Sequence, residues 1–150
     1  MNYYSLILCF LFSLFGKNTK QFVEFNKADV VIVKENSYVT VTLPFEIQSQ
    51  YHIQSNSEAS DDSIPTEITF LENPNYSIEN QNFSLKHDET IRLNTDIHKV
   101  LSNKFEVTVT LKLKDNVSDF NLDGALLYQA CTDRLCLFPR TLNFQININN

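Results

Sequence analysis

Outside its first dozen residues the chain holds two cysteines, Cys131 and Cys136, in the stretch YQACTDRLCLFPR that runs from 128 to 140. That spacing admits three kinds of chemistry: a disulfide that staples a turn, half of a metal clip, or a dithiol that exchanges with partner disulfides. As a staple the pair is inefficient, because closing so short a loop restricts the unfolded chain by only about 2 kcal/mol. As a metal clip it lacks companions: zinc takes four ligands, and His52, His87 and His98 are dispersed with no paired spacing. As an exchange site it offers two sulfurs at a loop where a partner's thiolate can approach one of them in line. The adjoining charges do not decide reactivity. Arg134 favours a thiolate, Asp133 opposes one, and the apolar flanks Leu135, Leu137 and Phe138 would raise the pKa of a buried thiol. Residue chemistry therefore leaves the redox and the structural reading both open, with zinc behind them.

The elements that must position the pair read as strands. From Phe105 to Lys114, FEVTVTLKLK places Phe105, Val107, Val109, Leu111 and Leu113 on one face, with Glu106, Thr108, Thr110, Lys112 and Lys114 on the other. This alternation predicts a strand with one wet face. Leu142, Phe144, Ile146 and Ile148 repeat it near the carboxyl end. Further β-rich runs, FVEF, DVVIVK, YVTVTLPFEI, TEITFL, TIRLNT and GALLYQA, are separated by Asn, Asp, Ser and Pro clusters, and no long window carries a helical period. About seven to nine short strands at this spacing predict an all-β, antiparallel sandwich. The cysteines would then sit in the hairpin between GALLYQA and TLNFQI, at one rim. Pro44, inside YVTVTLPFEI, is expected on an edge strand or at a bulge, because proline donates no ladder hydrogen bond. The polar stretch QSNSEASDDSIP is expected as a loop at one end of the sandwich.

Composition narrows the partners. A length of 150 residues with 43% hydrophobic content suits one domain with a proper core. The formal charge of −6, with Lys and Arg scattered, gives no basic stripe to track a phosphate backbone, so nucleic acid is not an expected partner. Two glycines cannot write a phosphate-binding loop. The apolar run from Leu6 to Phe15 is too short to span a membrane as a helix and has the form of a signal-peptide core, so residues 1–20 are read as an export signal and 21–150 as the domain. Cys9 would leave with that signal. The two remaining cysteines then match an oxidising compartment.

YQACTDRLCLFP resembles the redox loop in the amino-terminal domain of the bacterial thiol:disulfide interchange protein DsbD family, where a strand ending in Tyr-Gln-Gly/Ala-Cys leads through a short polar loop to a second Cys and then prolines. Upstream, YHIQSNSEASDDSIPTEITF and ENPNYSIENQNF resemble segments of the same domain, and the likeness spans most of residues 22 to 148. It implies an immunoglobulin-like fold in the periplasm that passes reducing equivalents by dithiol/disulfide exchange, with Cys131 and Cys136 as the pair and no cofactor. By the same resemblance Tyr51 matches an aromatic near the active site, and Phe83 matches the aromatic of a cap loop that shields the cysteines until a partner docks. Tyr128 and Gln129 match the strand entering the loop, and Pro139 matches one proline of its exit. Phe138 stands where the other proline would be. The implied partners are thioredoxin-like or disulfide-isomerase-type exported proteins, and a monomer is expected. Because the chain carries one sandwich, a separate membrane protein or thioredoxin-like carrier is expected to reduce it. Cys136 is assigned as the attacking sulfur and Cys131 as the resolving one. The competing expectation is an exported binding or adhesion sandwich whose disulfide only stiffens a hairpin.

Overall fold

The computed structural model describes residues 20–56, 64–84, 89–93, 96–115 and 117–149. The expected export signal, apart from Lys20, and residues 57–63 of the polar stretch lie outside them. The strands are β1 (Val23–Phe25), β2 (Val31–Glu35), β3 (Tyr38–Ile47), β4 (His52–Gln54), β5 (Glu67–Phe70), β6 (Tyr76–Ser84), β7 (Glu89–Leu93), β8 (Asp96–Ser102), β9 (Lys104–Leu113), β10 (Phe120–Tyr128), β11 (Ala130–Cys131) and β12 (Arg140–Ile148). All pair antiparallel, in three sheets ordered β1-β3-β9-β6 with β2 also on β3, β12-β10-β5, and β11-β4-β8-β7. The fold is an all-β antiparallel sandwich of the immunoglobulin-like kind, with more strands than the sequence pattern suggests.

The first two sheets close on the core. Alternation along β3 buries Val39, Val41, Leu43 and Phe45, and along β9 Phe105, Val107, Val109 and Leu111, as the period of two requires. From the second sheet β10 brings Leu122 and Leu126, and β12 brings Phe144, Ile146 and Ile148. Phe144 meets Phe45 edge to face at a centroid distance of 5.7 Å. Its ring lies across β10 at Gly124, its partner in the ladder. A Cβ on Gly124 would stand 2.3 Å from Phe144 Cζ, so this crossing needs the one residue without a side chain.

Pro44 corrects the expectation of an edge or a bulge. It lies in the regular interior of β3, opposite Glu106 of β9. The ladder survives because β1 pairs with β3 only at Phe45–Ile47 and β2 only at Tyr38–Thr42. Pro44 falls in the gap between them, and its carbonyl accepts from Asn26 N–H on that side, at 3.0 Å. In a strand the N–H and C=O of one residue point the same way, so the donor that proline lacks faces the gap and not β9.

The third sheet continues the first through a bend. Glu46 pairs with Lys104 and His52 pairs with Ser102, so one strand inserts residues where the other simply turns. Gln50 (φ 75°) and Asn103 (φ 57°) adopt left-handed backbone at this bend, and Ile47 N–H donates to Asn103 O at 2.7 Å. The pair β4–β8 is set off from β3–β9 by this bend and still adds Ile53 and Leu101 to the hydrophobic core. The second sheet reaches the same place, because the chain leaves β10 at Tyr128 and two residues later pairs with β4 as β11. The cysteine loop therefore begins at the joint between sheets.

Candidate functional site

Cys131 and Cys136 form a disulfide with their Cα atoms 4.0 Å apart, facing each other across an isolated antiparallel bridge. Backbone bonds close the loop on both sides of them: Leu137 N–H donates to Ala130 O at 2.8 Å and Thr132 N–H to Leu135 O at 2.9 Å. Inside the turn Thr132 Oγ1 accepts from the N–H groups of Arg134 and Leu135, both at 3.3 Å. Such side-chain capping is the usual means by which threonine holds a tight turn. Gln129 anchors the base, its Nε2 donating to Leu137 O at 3.0 Å and its Oε1 accepting from Ile64 N–H at 3.3 Å. The loop is thus held by polar contacts as well as by the S–S bond.

The two sulfurs live in different surroundings. Cys131, on β11, is wholly buried, whereas Cys136 is exposed. Leu135 is 55% and Phe138 89% exposed, so apolar side chains stand open on either side of the accessible cysteine. Pro139 is also exposed and leads directly into β12.

Beside the loop runs an open groove of about 590 Å³, walled by Gln50, Tyr51, His52, Ile91 and Ser102 on one side and by Thr132, Asp133 and Arg134 on the other. Tyr51 is half-buried, its ring centroid 4.5 Å from that of Phe22. Tyr128 is fully buried and ties β10 to the segment entering β1: its hydroxyl accepts from Phe22 N–H at 2.9 Å and donates to Gln21 Oε1 at 2.6 Å. Burial raises its pKa, so it remains a neutral phenol and an anchor. Phe83 lies in β6 opposite Val107, and its ring stacks on Phe105 with centroids 6.3 Å apart. The structure gathers Tyr51, Gln129 and the two cysteines around one rim, with Tyr128 beneath the entry; Phe83 belongs to the first sheet.

One residue of the site escaped sequence reasoning. His52 stands directly opposite Cys131 in the β4–β11 ladder and opposite Ser102 of β8 on its other side. It is 6% exposed, and its Nε2 has no hydrogen-bond partner among the described residues. Burial pushes the imidazole pKa below its ordinary value, and the nearby Asp133 carboxylate pulls it partly back. His52 is therefore neutral near pH 7. In the sequence it is one of three dispersed histidines, directly after Tyr51. Its register against Cys131 rests on a three-residue and a two-residue strand, too short for any periodicity to reveal.

The N-terminal periplasmic domain of ScsB from Proteus mirabilis shares this fold, with a TM-score of 0.55 and 15% identity over 80% of the chain. The chain spans 44% of the length of that structure. The DsbD N-terminal domain of Neisseria meningitidis in its reduced form gives a TM-score of 0.45 at 18% identity, covering 83% of this chain and 89% of the other. The GAE domain of yeast GGA1 gives 0.42 at 10% identity, covering 87% and 96%. Only the first of these three likenesses is close enough to bear on architecture, and at that identity it establishes the fold alone. No protein-family profile and no curated protein sequence matches the chain.

Proposed function

We propose that the domain is an exported thiol-disulfide exchange module, relaying reducing equivalents from a membrane or thioredoxin-like donor to periplasmic partners through Cys131 and Cys136. The observation that carries this reading is the asymmetry of the bonded pair, one sulfur-bearing residue buried and the other exposed among open apolar side chains on a rim. A bridge meant only to stiffen a hairpin gains nothing from such a setting, since the loop's backbone bonds already close it. The likeness of YQACTDRLCLFP to the DsbD loop and the fold shared with a periplasmic domain support the same conclusion.

In the forward direction the reduced domain meets a thioredoxin-like or disulfide-isomerase-type protein in its disulfide form. The Cys136 thiolate attacks one partner sulfur, breaking the partner's S–S bond and leaving its other sulfur as a thiolate. Cys131 then attacks Cys136 Sγ, the mixed bond breaks, and the partner departs with both sulfurs reduced. The domain is left as the Cys131–Cys136 disulfide, two electrons poorer, and a reduced donor reverses the sequence. The electrons travel on sulfur throughout, so the scheme calls for no cofactor.

The test is trapping in cells. Cys131→Ser leaves the exposed Cys136 to form a mixed disulfide that nothing resolves, and it accumulates adducts with exported thioredoxin-like proteins; Cys136→Ser leaves only the buried thiol and traps poorly. Equal trapping by both variants overturns the assignment of roles. If neither traps a partner and the wild-type pair stays oxidised, the binding-module reading stands instead.

A further inference from the structure

Resolution asks more of Cys131 than attack asks of Cys136. A thiol with no solvent exposure is poorly ionised, because desolvation disfavours the thiolate, yet the thiolate is the species that must strike Cys136 Sγ. Residues directly opposite in an antiparallel ladder project to the same face with Cβ atoms about 5 Å apart. The residue in that place is His52, and its buried Nε2 lacks a partner among the described residues. From this geometry we infer that His52 accepts the proton of the Cys131 thiol as that sulfur resolves the mixed disulfide. The inference rests on the exchange reading and adds a proton path to it.

The step balances. The Cys131 S–H proton passes to His52 Nε2, the thiolate forms the Cys131–Cys136 bond, and the Cys136–partner bond breaks with its electron pair on the partner sulfur. The imidazolium then returns the proton to the departing thiolate or to water in the groove. The surroundings suit a base that must be neutral before the step and charged within it. Burial holds His52 unprotonated at rest, and Asp133 favours the imidazolium once formed. Among the described residues sharing the groove, Arg134 is the other charged side chain and Tyr51 the other titratable one, while Ser102 faces His52 from β8.

The two steps separate when the reduced protein is mixed with oxidised glutathione, quenched with acid, and followed by mass for the glutathionylated intermediate and the oxidised product. His52→Gln should form the intermediate at the wild-type rate but resolve it about tenfold or more slowly near pH 7, the deficit closing as pH approaches the thiol's own pKa. Wild-type resolution should level off above the imidazole pKa, whereas the variant's rate keeps rising with hydroxide. Equal resolution rates and profiles in the two proteins would overturn the inference. If His52→Gln does not fold, the exposed Asp133→Asn decides: loss of the carboxylate lowers the imidazole pKa, so the acid limb of resolution moves to lower pH, and an unmoved limb rejects the role. A wild-type protein that never forms the intermediate refutes the exchange reading itself, a result distinct from an unaltered His52→Gln profile.

Discussion

Cys131 and Cys136 are bonded to each other from opposite environments, the first wholly buried in the β4–β11 ladder and the second exposed beside Phe138. The bond therefore crosses from interior to surface within one short loop. The hydrogen bonds from Leu137 N–H to Ala130 O and from Gln129 Nε2 to Leu137 O do not depend on it. Reduction should leave the sandwich folded and lower its unfolding free energy by about 2 kcal/mol or less. Urea unfolding of the oxidised and reduced protein measures this, and a reduced chain that is unfolded without denaturant would make the bridge a staple.

Tyr128 should prove structural and not chemical. Tyr128→Phe keeps the ring but leaves the N–H of Phe22, itself only 5% exposed, without its acceptor. The expected loss is about 1–3 kcal/mol in urea unfolding, with trapping through Cys136 unchanged. A variant of wild-type stability would show that water or a shift of the β1 segment replaces the bond.

His52 should make stability depend on pH. Its folded pKa is depressed below the 6.5 of the unfolded chain, so between those two values the unfolded state binds more protons. Stability should thus be full above roughly pH 6.5 and fall on acidification through the window down to the folded pKa. His52→Gln should flatten that part of the curve. An unchanged slope in the variant would mean that another group titrates there.

The parts of this architecture that the sequence reveals are those where one side chain face is dry. β9 and β12 could be read residue by residue, because Phe105, Val107, Val109 and Leu111 and then Phe144, Ile146 and Ile148 are all buried against polar neighbours that are not. β6 was hidden for the opposite reason: from Ser77 to Asn82 it is exposed throughout, it lies at a sheet edge, and a register shift between Ile78 and Asn80 breaks what alternation it has. Pro44 misled because the gap between β1 and β2 is a tertiary fact. In the site, the cysteines and Gln129 were legible as a contiguous motif. His52 was not, since it is brought to Cys131 by a pairing that depends on the left-handed turn at Gln50.

The most direct test of the account is the reduction potential of the Cys131–Cys136 couple, obtained by equilibrating the folded domain with thiol-disulfide buffers and counting alkylated cysteines. An exchange module must give up its electrons to exported partners and recover them from a donor, which requires a potential above about −300 mV. A value well below that figure, in the range of structural bridges, would contradict the proposed function and leave a binding sandwich with a stapled hairpin.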